Sequence, residues 1–379
     1  MRLAGLAFLP LVACGARTEL AAPIVAKADG GPPPATELRL ACGEGHTCAL
    51  RGDGAVFCWG SNTSGQDGVA ASDTSAAVEV PLGGPASAIG LGAYHSCAIV
   101  SGDVYCWGDD LVGQLGSDVP STATPIYAGV SNATDVTGGF SDTCALLASG
   151  AIACWGANEQ GQLGDGDTNA STTPMGVVIA NATALARSAG GSEHTCAIVE
   201  GGAVRCWGSN VDGELGSGSL DASATTPEVA LSAGAVAVAV VDSSTCAAKS
   251  DGSLLCWGGN DDGQLGDGTF DASRVPVAAS AVGVQTVAVA AHHTCALEEG
   301  GKIACWGSNI NGELGDGTTT SSAIPVVAIA SGATDVCAGG EHTCAATADG
   351  RVLCWGAGTN GELGSPLAYS PTPVVVPGL

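Results

Sequence analysis

Residues 154–164 read CWGANEQGQLG, and the tripeptide that opens this stretch recurs along the chain. Cys-Trp-Gly starts at Cys58, Cys106, Cys154, Cys206, Cys256, Cys305 and Cys354. The glycine-rich continuation returns as WGSNVDGELG (207–216), WGGNDDGQLG (257–266) and WGSNINGELG (306–315). Self-similarity at a fixed period is the signature of a protein that stacks one structural unit many times. We therefore expect seven units of about 49 residues rather than several unrelated domains.

Each repeated unit is predicted to consist of short β-strands. Glycine, Asp-Gly and proline turns separate the apolar runs, and no helical periodicity is visible. In the first unit, residues 47–50 and 55–59 flank the turn Arg51-Gly52-Asp53-Gly54, which is typical of a β-hairpin. A unit then closes with proline and β-branched residues, as in Ile324-Pro325-Val326-Val327. The sequence thus predicts an all-β fold.

Fourteen of the 17 cysteines are expected to form one disulfide within each hairpin. Cys48 and Cys58 lie symmetrically about Asp53, so they would face each other across two strands at a distance that a disulfide spans. The second unit shortens the cysteine spacing and the turn together, to Ser101-Gly102, which favours paired cysteines. The predicted pairs are Cys48–Cys58, Cys97–Cys106, Cys144–Cys154, Cys196–Cys206, Cys246–Cys256, Cys295–Cys305 and Cys344–Cys354. Buried free thiols are the alternative, whereas zinc is disfavoured because no Cys-x-x-Cys occurs.

Two further cysteines, Cys42 and Cys337, lie in the first and last units. Both precede the His-Thr-Cys motif by similar distances, and the two units become neighbours if seven units close a ring. We predict a disulfide between them that joins the ends of the ring. The alternative is a pair of unpaired buried thiols, because their offset of one residue could direct them to different faces.

The succession His-Thr-Cys-Ala, Asp-Gly, Cys-Trp-Gly-x-Asn, Gly-Gln-Leu-Gly and Pro-x-Val resembles the regulator-of-chromosome-condensation repeat. The resemblance covers residues 38–379 and implies a seven-bladed β-propeller of four-stranded blades. It also implies that N-terminal and C-terminal strands pair to close the ring, so that Leu38–Ala41 and Val374–Val376 share a blade. The eukaryotic namesake exchanges guanine nucleotide on a small GTPase and binds chromatin. The acidity and the predicted export of this chain argue against both activities.

The first residues predict export and lipid attachment. Residues 1–13 have the layout of a secretory signal, and Leu11-Val12-Ala13 precede Cys14 as in the bacterial lipobox, in which the cysteine is acylated. An ordinary signal peptide with a chance cysteine is the alternative. Residues 14–37 predict a flexible glycine- and proline-rich tether, and residues 38–379 the propeller. We expect a bacterial cell-envelope protein, held at the membrane by its lipid alone.

The charge limits the classes of partner. The formal net charge is −26, and acidic residues outnumber Lys plus Arg by 37 to 11. Nucleic-acid affinity comes largely from Lys and Arg that displace counterions, so nucleic acid is not an expected partner. A basic protein with salt-sensitive association is the expected one. We expect a monomer that requires no cofactor.

The histidines form the most suggestive candidate site. Five of the six share one repeat position, namely His46, His95, His194, His293 and His342, whereas Asp142 and Ser244 replace them in the third and fifth units. A ring of imidazoles could bind metal or carry acid–base chemistry, but the blades would separate its members. We expect each to bond to backbone within its own blade, and His292 to be exposed. The Leu-Gly-Asp-Gly-Thr turns have too few carboxylates for a good Ca²⁺ site.

Three classes of function compete. A protein-binding scaffold comes first, with its binding residues in the divergent segments Asp67–Pro81, Ser217–Thr226 and Phe270–Ser273. The second is a polysaccharide-binding module, which needs exposed aromatic platforms from Tyr94, Tyr105, Tyr127, Tyr369 or the phenylalanines. A hydrolase or lyase is third, and needs histidines and carboxylates clustered at one end of the channel. No nucleophile–base motif is recognisable, so we expect no enzyme activity, no catalytic residues and no metal site.

Overall fold

The computed structural model describes residues 37–70, 72–187 and 193–379. The predicted signal sequence, Cys14 and nearly all of the tether lie outside these described residues. Within them, the chain forms 28 strands in seven four-stranded antiparallel sheets. None of the described residues forms a helix with the length and apolar character needed to cross a bilayer.

Each sheet contains four consecutive strands. Blades 1 to 3 contain β1 (Arg39–Cys42), β2 (His46–Leu50), β3 (Val56–Gly60) and β4 (Thr74–Glu79), then β5 (Ala86–Leu91), β6 (His95–Val100), β7 (Asp103–Gly108) and β8 (Thr122–Tyr127), then β9 (Ala133–Gly138), β10 (Asp142–Leu147), β11 (Ile152–Gly156) and β12 (Ser171–Gly176). Blades 4 and 5 contain β13 (Ala182–Arg187), β14 (His194–Val199), β15 (Ala203–Ser209) and β16 (Ser223–Leu231), then β17 (Ala235–Val241), β18 (Ser244–Lys249), β19 (Ser253–Gly258) and β20 (Ser273–Val282). Blades 6 and 7 contain β21 (Val284–Val289), β22 (His293–Glu298), β23 (Lys302–Gly307) and β24 (Ser322–Ile329), then β25 (Ala333–Ala338), β26 (His342–Thr347), β27 (Val352–Ala357) and β28 (Tyr369–Val375).

The seven sheets form a closed ring. The first strand of each blade contacts the first strand of the next, and β25 of the last blade contacts β1 of the first. First strands therefore line the central channel, and fourth strands form the outer rim. The predicted seven-bladed β-propeller is confirmed.

The predicted hairpins form around their glycine turns. In blade 2, Val100 pairs with Asp103, so Ser101 and Gly102 form a two-residue turn. Both have positive φ, 55° and 86°, as the tight turns that join twisted antiparallel strands require.

The hydrophobic core lies between successive blades rather than within one. One cluster joins the Cys144–Cys154 hairpin and Leu163 of blade 3 to Leu185 and Trp207 of blade 4. Equivalent clusters occur at the other boundaries. Because a single blade buries only part of its apolar surface, stability depends on stacking the blades into the ring.

Prolines protect the outer rim. Every fourth strand except β4 contains at least one, at Pro125, Pro174, Pro227, Pro276, Pro325, Pro371 and Pro373. Proline has no backbone N–H to donate to a further strand, so these edges resist pairing with another chain.

The expectation that Leu38–Ala41 and Val374–Val376 share a blade is wrong. β1 pairs only with β2 of blade 1, and β28 pairs only with β27 of blade 7. The first unit already supplies four strands by Glu79, so no position in its sheet is left for a C-terminal strand. Instead, the ends meet through side chains: Cys42 and Cys337 form a disulfide, and the Leu40 N–H donates to Asp335 Oδ2 at 2.8 Å.

Because no strand crosses the join between blades 1 and 7, we predict that the Cys42–Cys337 bond contributes more stability than any in-blade disulfide. It closes a loop with a sequence separation of 295, against 9 for Cys97–Cys106. Chain entropy then gives about 6 kcal/mol for the first and about 3 for the second. Denaturant unfolding should show a larger loss of unfolding free energy for Cys42→Ser with Cys337→Ser than for Cys97→Ala with Cys106→Ala. Non-reducing peptide mapping that found Cys42 and Cys337 as free thiols would contradict the prediction.

Candidate functional site

The repeated histidine connects each blade to the next. In five blades the buried imidazole places Nε2 at 2.7 to 2.9 Å from a hydroxyl oxygen of the following blade. The pairs are His46–Ser96, His95–Thr143, His194–Thr245, His293–Thr343 and His342–Thr47. The predicted bond to backbone within the same blade is therefore wrong. These histidines lie on second strands, whose backbone groups are already paired on both sides, so the imidazole finds its partner across the blade boundary.

The same hydroxyls meet a backbone carbonyl that joins the blades a second time. At six boundaries the serine or threonine donates to the carbonyl of the repeat Gln or Glu in the preceding blade, at 2.8 to 3.1 Å. The tryptophan of the following blade donates its indole N–H to that carbonyl at all seven boundaries. All seven tryptophans are fully buried, which confirms that they pack between blades rather than bind a ligand.

These bonds determine the chemical state of the histidines. In the pairs of His46, His95, His194 and His293 the hydroxyl uses its proton on the carbonyl, so the imidazole must donate through Nε2–H, as a neutral histidine does. Burial lowers the pKa of His46, His95 and His293 to about 3, and of His342 to about 4. Enclosed side chains of this kind serve the scaffold and do not present a base to a substrate.

The histidine position of blade 3 holds Asp142, which forms a buried ion pair with Arg187 of blade 4. Asp142 cannot donate a proton as histidine does. Arg187 instead donates through Nη1 to the Gln162 carbonyl at 3.1 Å, the same carbonyl that receives Thr195 and Trp207. The pair thus replaces the missing imidazole with another link between blades.

Blade 5 has Ser244 at the histidine position and nothing that replaces the imidazole. Its buried Oγ has no hydrogen-bond partner. In blade 1, a Cβ on Gly43 would lie 2.4 Å from the imidazole of His46, three residues later. Val241 stands at that position in blade 5, whereas blade 6 has Ala290 there and keeps its histidine.

The cysteines pair as expected, but they offer no metal site. Each in-blade pair lies at directly opposed positions of the second and third strands with Cα atoms 4.0 or 4.1 Å apart, and is joined as a disulfide. In the described part of the chain, the only cluster of possible metal ligands is Cys42, His342 and Cys344. Both sulfurs are in disulfides and the imidazole bonds to Thr47, so this cluster has no free ligand.

An asparagine present in five of the seven repeats orders the loop that follows it. Asn309 accepts the Leu314 N–H on Oδ1 and donates Nδ2–H to the carbonyls of Thr318 and Thr320. The carboxylate of Asp316 accepts the backbone N–H and the hydroxyl of Thr318, both at 2.8 Å. The Leu-Gly-Asp-Gly-Thr turn is thus closed by its own side chains, and its single carboxylate is no Ca²⁺ cage.

Blade 1 contains an acid that the sequence pattern did not reveal as unusual. Asp67 occupies the position that leucine holds in Gly-Gln-Leu-Gly of the other blades, and it is fully buried. Oδ2 accepts the Thr74 hydroxyl, whereas Oδ1 has no partner. Burial raises the pKa of Asp67 to about 7. A comparison of this one position across the seven units would have found it.

The two faces of the ring differ in charge. We call the face with the turns between first and second strands and the loops between third and fourth strands the long-loop face, and the opposite one the hairpin face. Among the described residues, the connections of the long-loop face carry acidic residues in every blade and no lysine or arginine. At the hairpin face, basic residues pair with acids: Arg51–Asp53, Lys249–Asp251, Lys302–Glu298 and Arg351–Asp349. The negative charge is therefore least compensated on the long-loop face.

All three divergent segments start in connections of the long-loop face. Asp67–Pro81 spans the loop before β4 and β4 itself, Ser217–Thr226 leads into β16, and Phe270–Ser273 leads into β20. Predicted site residues from the last two come together, because blades 4 and 5 are neighbours. His292 is exposed, as predicted, and bonds to Asp262 on this face.

The aromatic residues do not assemble into a platform. Tyr94 packs edge-on against Phe140 with ring centroids 5.7 Å apart, and Tyr105 meets Tyr127 elsewhere, on β7 and β8. Tyr369 lies on the rim of blade 7. Polysaccharide binding therefore gains no support from their arrangement.

The central channel contains a cavity of about 250 Å³. Its lining is mostly apolar and includes Asp135 and Arg187 but, among the described residues, no histidine. Burial raises the pKa of Asp135, and of its counterpart Asp335 in blade 7, to about 6. The cluster of histidines and carboxylates that a hydrolase or lyase would need does not form here.

Fold and site together define a seven-bladed β-propeller whose repeated side chains join the blades and whose loops vary at one acidic face. Two family models, both of the regulator of chromosome condensation (RCC1) repeat, match the sequence. One matches residues 39–66, 188–214, 235–264 and 333–362, and the other 149–198, 251–297 and 301–346. Together they cover more than half of the chain and reach every blade except the second. The chain belongs to the RCC1 repeat family.

Solved structures share the fold at low identity. The yeast RCC1 protein Prp20, in a crystal structure with bound Kap60, is 18% identical with a TM-score of 0.77, over 93% of this chain and 86% of that one. A second structure of Prp20p from Saccharomyces cerevisiae is 20% identical with a TM-score of 0.74, covering 90% and 88%. Human WBSCR16 is 21% identical with a TM-score of 0.74, covering 85% and 93%. No curated protein sequence matches the chain.

We predict that Asp67→Leu stabilises the protein, and more so at pH 8 than at pH 4. The folded-state pKa is raised, so the folded protein retains a proton that the unfolded chain releases. The free-energy cost of the buried Asp67 carboxylate is absent below about pH 4. It grows as pH rises to about 7 and then reaches roughly 4 kcal/mol. Denaturant unfolding across this range measures it.

The reciprocal variant Leu163→Asp, at the same position in blade 3, is the matched control. It should introduce a cost with the same pH dependence. If the free energies of unfolding of wild type and Asp67→Leu differ by the same amount at every pH from 4 to 8, the prediction is wrong.

Proposed function

We propose that this protein is an exported scaffold that binds a basic protein partner through its long-loop face, with the propeller attached to a membrane by lipid on Cys14. The observation that carries the proposal is the charge of that face. Its connections carry acidic residues in every blade and, among the described residues, no lysine or arginine, whereas much of the basic charge is paired at the hairpin face. Such a field speeds encounter with a basic protein and opposes nucleic acid.

The use of the repeated residues supports the same assignment. The repeated histidines, threonines, tryptophans, asparagines and cysteines, in the units that carry them, are buried and bonded within the scaffold. Only the residues that differ between units remain to recognise a partner. Prp20, which shares the fold, is described in complex with Kap60 and for its binding to Gsp1p and histones. Protein binding is thus a use to which this fold is put, while nucleotide exchange has no particular support in this chain.

The disulfides support the exported location. Eight disulfides join all 16 cysteines of the described residues, a density that is typical of oxidising compartments. The signal and lipobox-like residues 1–14 fit a cell-envelope lipoprotein, and a tether as far as residue 37 would let the ring meet partners away from the bilayer.

The face is tested with matched charge variants. Glu159→Gln with Asp261→Asn removes two exposed carboxylates from the long-loop face, and Glu299→Gln with Asp251→Asn removes two from the hairpin face. We expect the first pair to weaken binding to a basic protein such as cytochrome c about tenfold, because two favourable charges at the contact are lost, and the second to have little effect. Biosensor binding at low and high salt measures this. Equal effects of both pairs, or binding indifferent to salt, would contradict the proposal.

Lipid attachment is tested independently. With Cys14→Ala, we expect the chain to lose incorporation of a fatty-acid probe and to leave the membrane fraction, because a single acylated cysteine holds the propeller there. Cys42→Ala with Cys337→Ala, which alters cysteines of the propeller, should keep the label. If Cys14→Ala is labelled as well as wild type, the anchor is elsewhere.

A further inference from the structure

Exposed apolar side chains occur on the adjoining loops and rim strand of blades 4 and 5, on the long-loop face. Leu220 is 84% exposed, Val211 60%, Phe270 58% and Val275 51%. Val211 and Leu220 belong to the loop before β16, Phe270 belongs to the loop before β20, and Val275 lies on β20 itself. We call these four residues the blade 4–5 patch.

Arg274 holds the segments of the patch side by side. Its guanidinium donates from Nη2 to the Val211 carbonyl at 3.1 Å and from Nη1 to the Asn210 and Ser219 carbonyls at 3.4 Å. Its own carbonyl accepts the Gly218 N–H at 2.9 Å. The aliphatic part of Arg274 crosses Gly213, where any Cβ would lie 2.6 Å from Cγ. One side chain therefore fixes both edges of the patch in place before a partner arrives, which reduces the entropy lost on binding.

Carboxylates surround the patch. Asp212, Asp221, Asp261 and Asp271 are all exposed on the same two loops. The pKa of Asp212 is raised, by partial burial and then by the nearby charges of Glu214, Asp261 and Asp242. Two basic side chains lie beside these loops: His292 bonds to Asp262, and Arg274 donates its guanidinium to carbonyls while also acting on Asp212. The patch thus combines apolar contact area with an excess of negative charge.

We propose that the blade 4–5 patch is the anchoring site for a protein segment that carries an apolar side chain between lysines or arginines. The apolar side chain packs among Leu220, Phe270 and the two valines, and the basic residues meet the four aspartates. Apolar anchors at the centre with charges at the rim are the usual arrangement of protein interfaces. This inference rests on the proposed function, since it names the part of the long-loop face that supplies specificity.

The full chain, purified in detergent, is titrated into three fluorescent peptides of equal length. The first has lysines on both sides of Leu-Phe-Leu, the second has the same lysines around Ser-Gly-Ser, and the third has glutamates around Leu-Phe-Leu. We expect the first to bind at least about tenfold more tightly than the second, and the third not to bind. Hydrogen exchange should show protection at 211–221 and 270–275 with the first peptide alone.

Leu111 provides the matched control, because it is 84% exposed like Leu220 but lies on blade 2. Leu220→Ser with Phe270→Ser should reduce the affinity for the first peptide about tenfold, to that of the second, whereas Leu111→Ser should not change it. All four side chains of the patch lie at the surface, so unchanged thermal melting confirms that the variants fold.

Three outcomes overturn the inference, and they differ in what they mean for the proposed function. Equal, salt-sensitive binding of both lysine peptides removes the patch but leaves the acidic face as a binding surface. If neither lysine peptide binds, both the anchoring site and the proposed binding role of the long-loop face are overturned. Self-association in sedimentation that Leu220→Ser abolishes makes a second copy of this chain the occupant in place of a basic segment.

Discussion

One backbone carbonyl in each blade, that of the Gln or Glu in Gly-Gln-Leu-Gly, is the group on which the ring depends. The carbonyl of Gln114 accepts the hydroxyl of Thr143 and the indole of Trp155, and that hydroxyl in turn accepts the His95 imidazole. A fully buried carbonyl with two donors from the next blade sets both the spacing and the angle between the blades. Removing the threonine hydroxyl would leave the buried imidazole without its acceptor, which costs more than the bond itself.

The close contact between neighbouring blades also explains the last glycine of Gly-Gln-Leu-Gly. In blade 3 the glycine that follows Leu163 is Gly164, where a Cβ would lie 2.5 Å from the indole nitrogen of Trp207. Gly164 also has a positive φ of 68°, so both space and backbone conformation exclude other residues. Repeated residues are therefore held in place by contacts with the neighbouring blade.

The sequence predicted the features that recur in every unit. It did not predict the contacts that a residue makes with the neighbouring blade. Regular spacing of cysteine and tryptophan sufficed for the blades, the hairpins and the burial of the indoles. The partner of each histidine lies across a blade boundary, 48 to 51 residues away for four of them and 295 for His342, and spacing within a unit carries no information about it. Ring closure was misjudged because it depends on how many strands the first unit contains before Glu79, which the family resemblance left open. The role of Arg274 has no local sequence signal, because its three carbonyl partners lie in another blade.

The two blade boundaries that lack the histidine bond lie on either side of the proposed anchoring site. Between blades 3 and 4 the imidazole is replaced by the Asp142–Arg187 pair, and between blades 5 and 6 it is lost with Ser244. The boundary between blades 4 and 5 keeps the whole arrangement, with His194, Thr245 and Trp257 all bonded as in the regular units. Blades 4 and 5 thus form a firmly joined pair, and Arg274 ties their outer loops together above that junction. An anchor that packs against both blades needs them to keep a constant separation, and this boundary has every bond that fixes it.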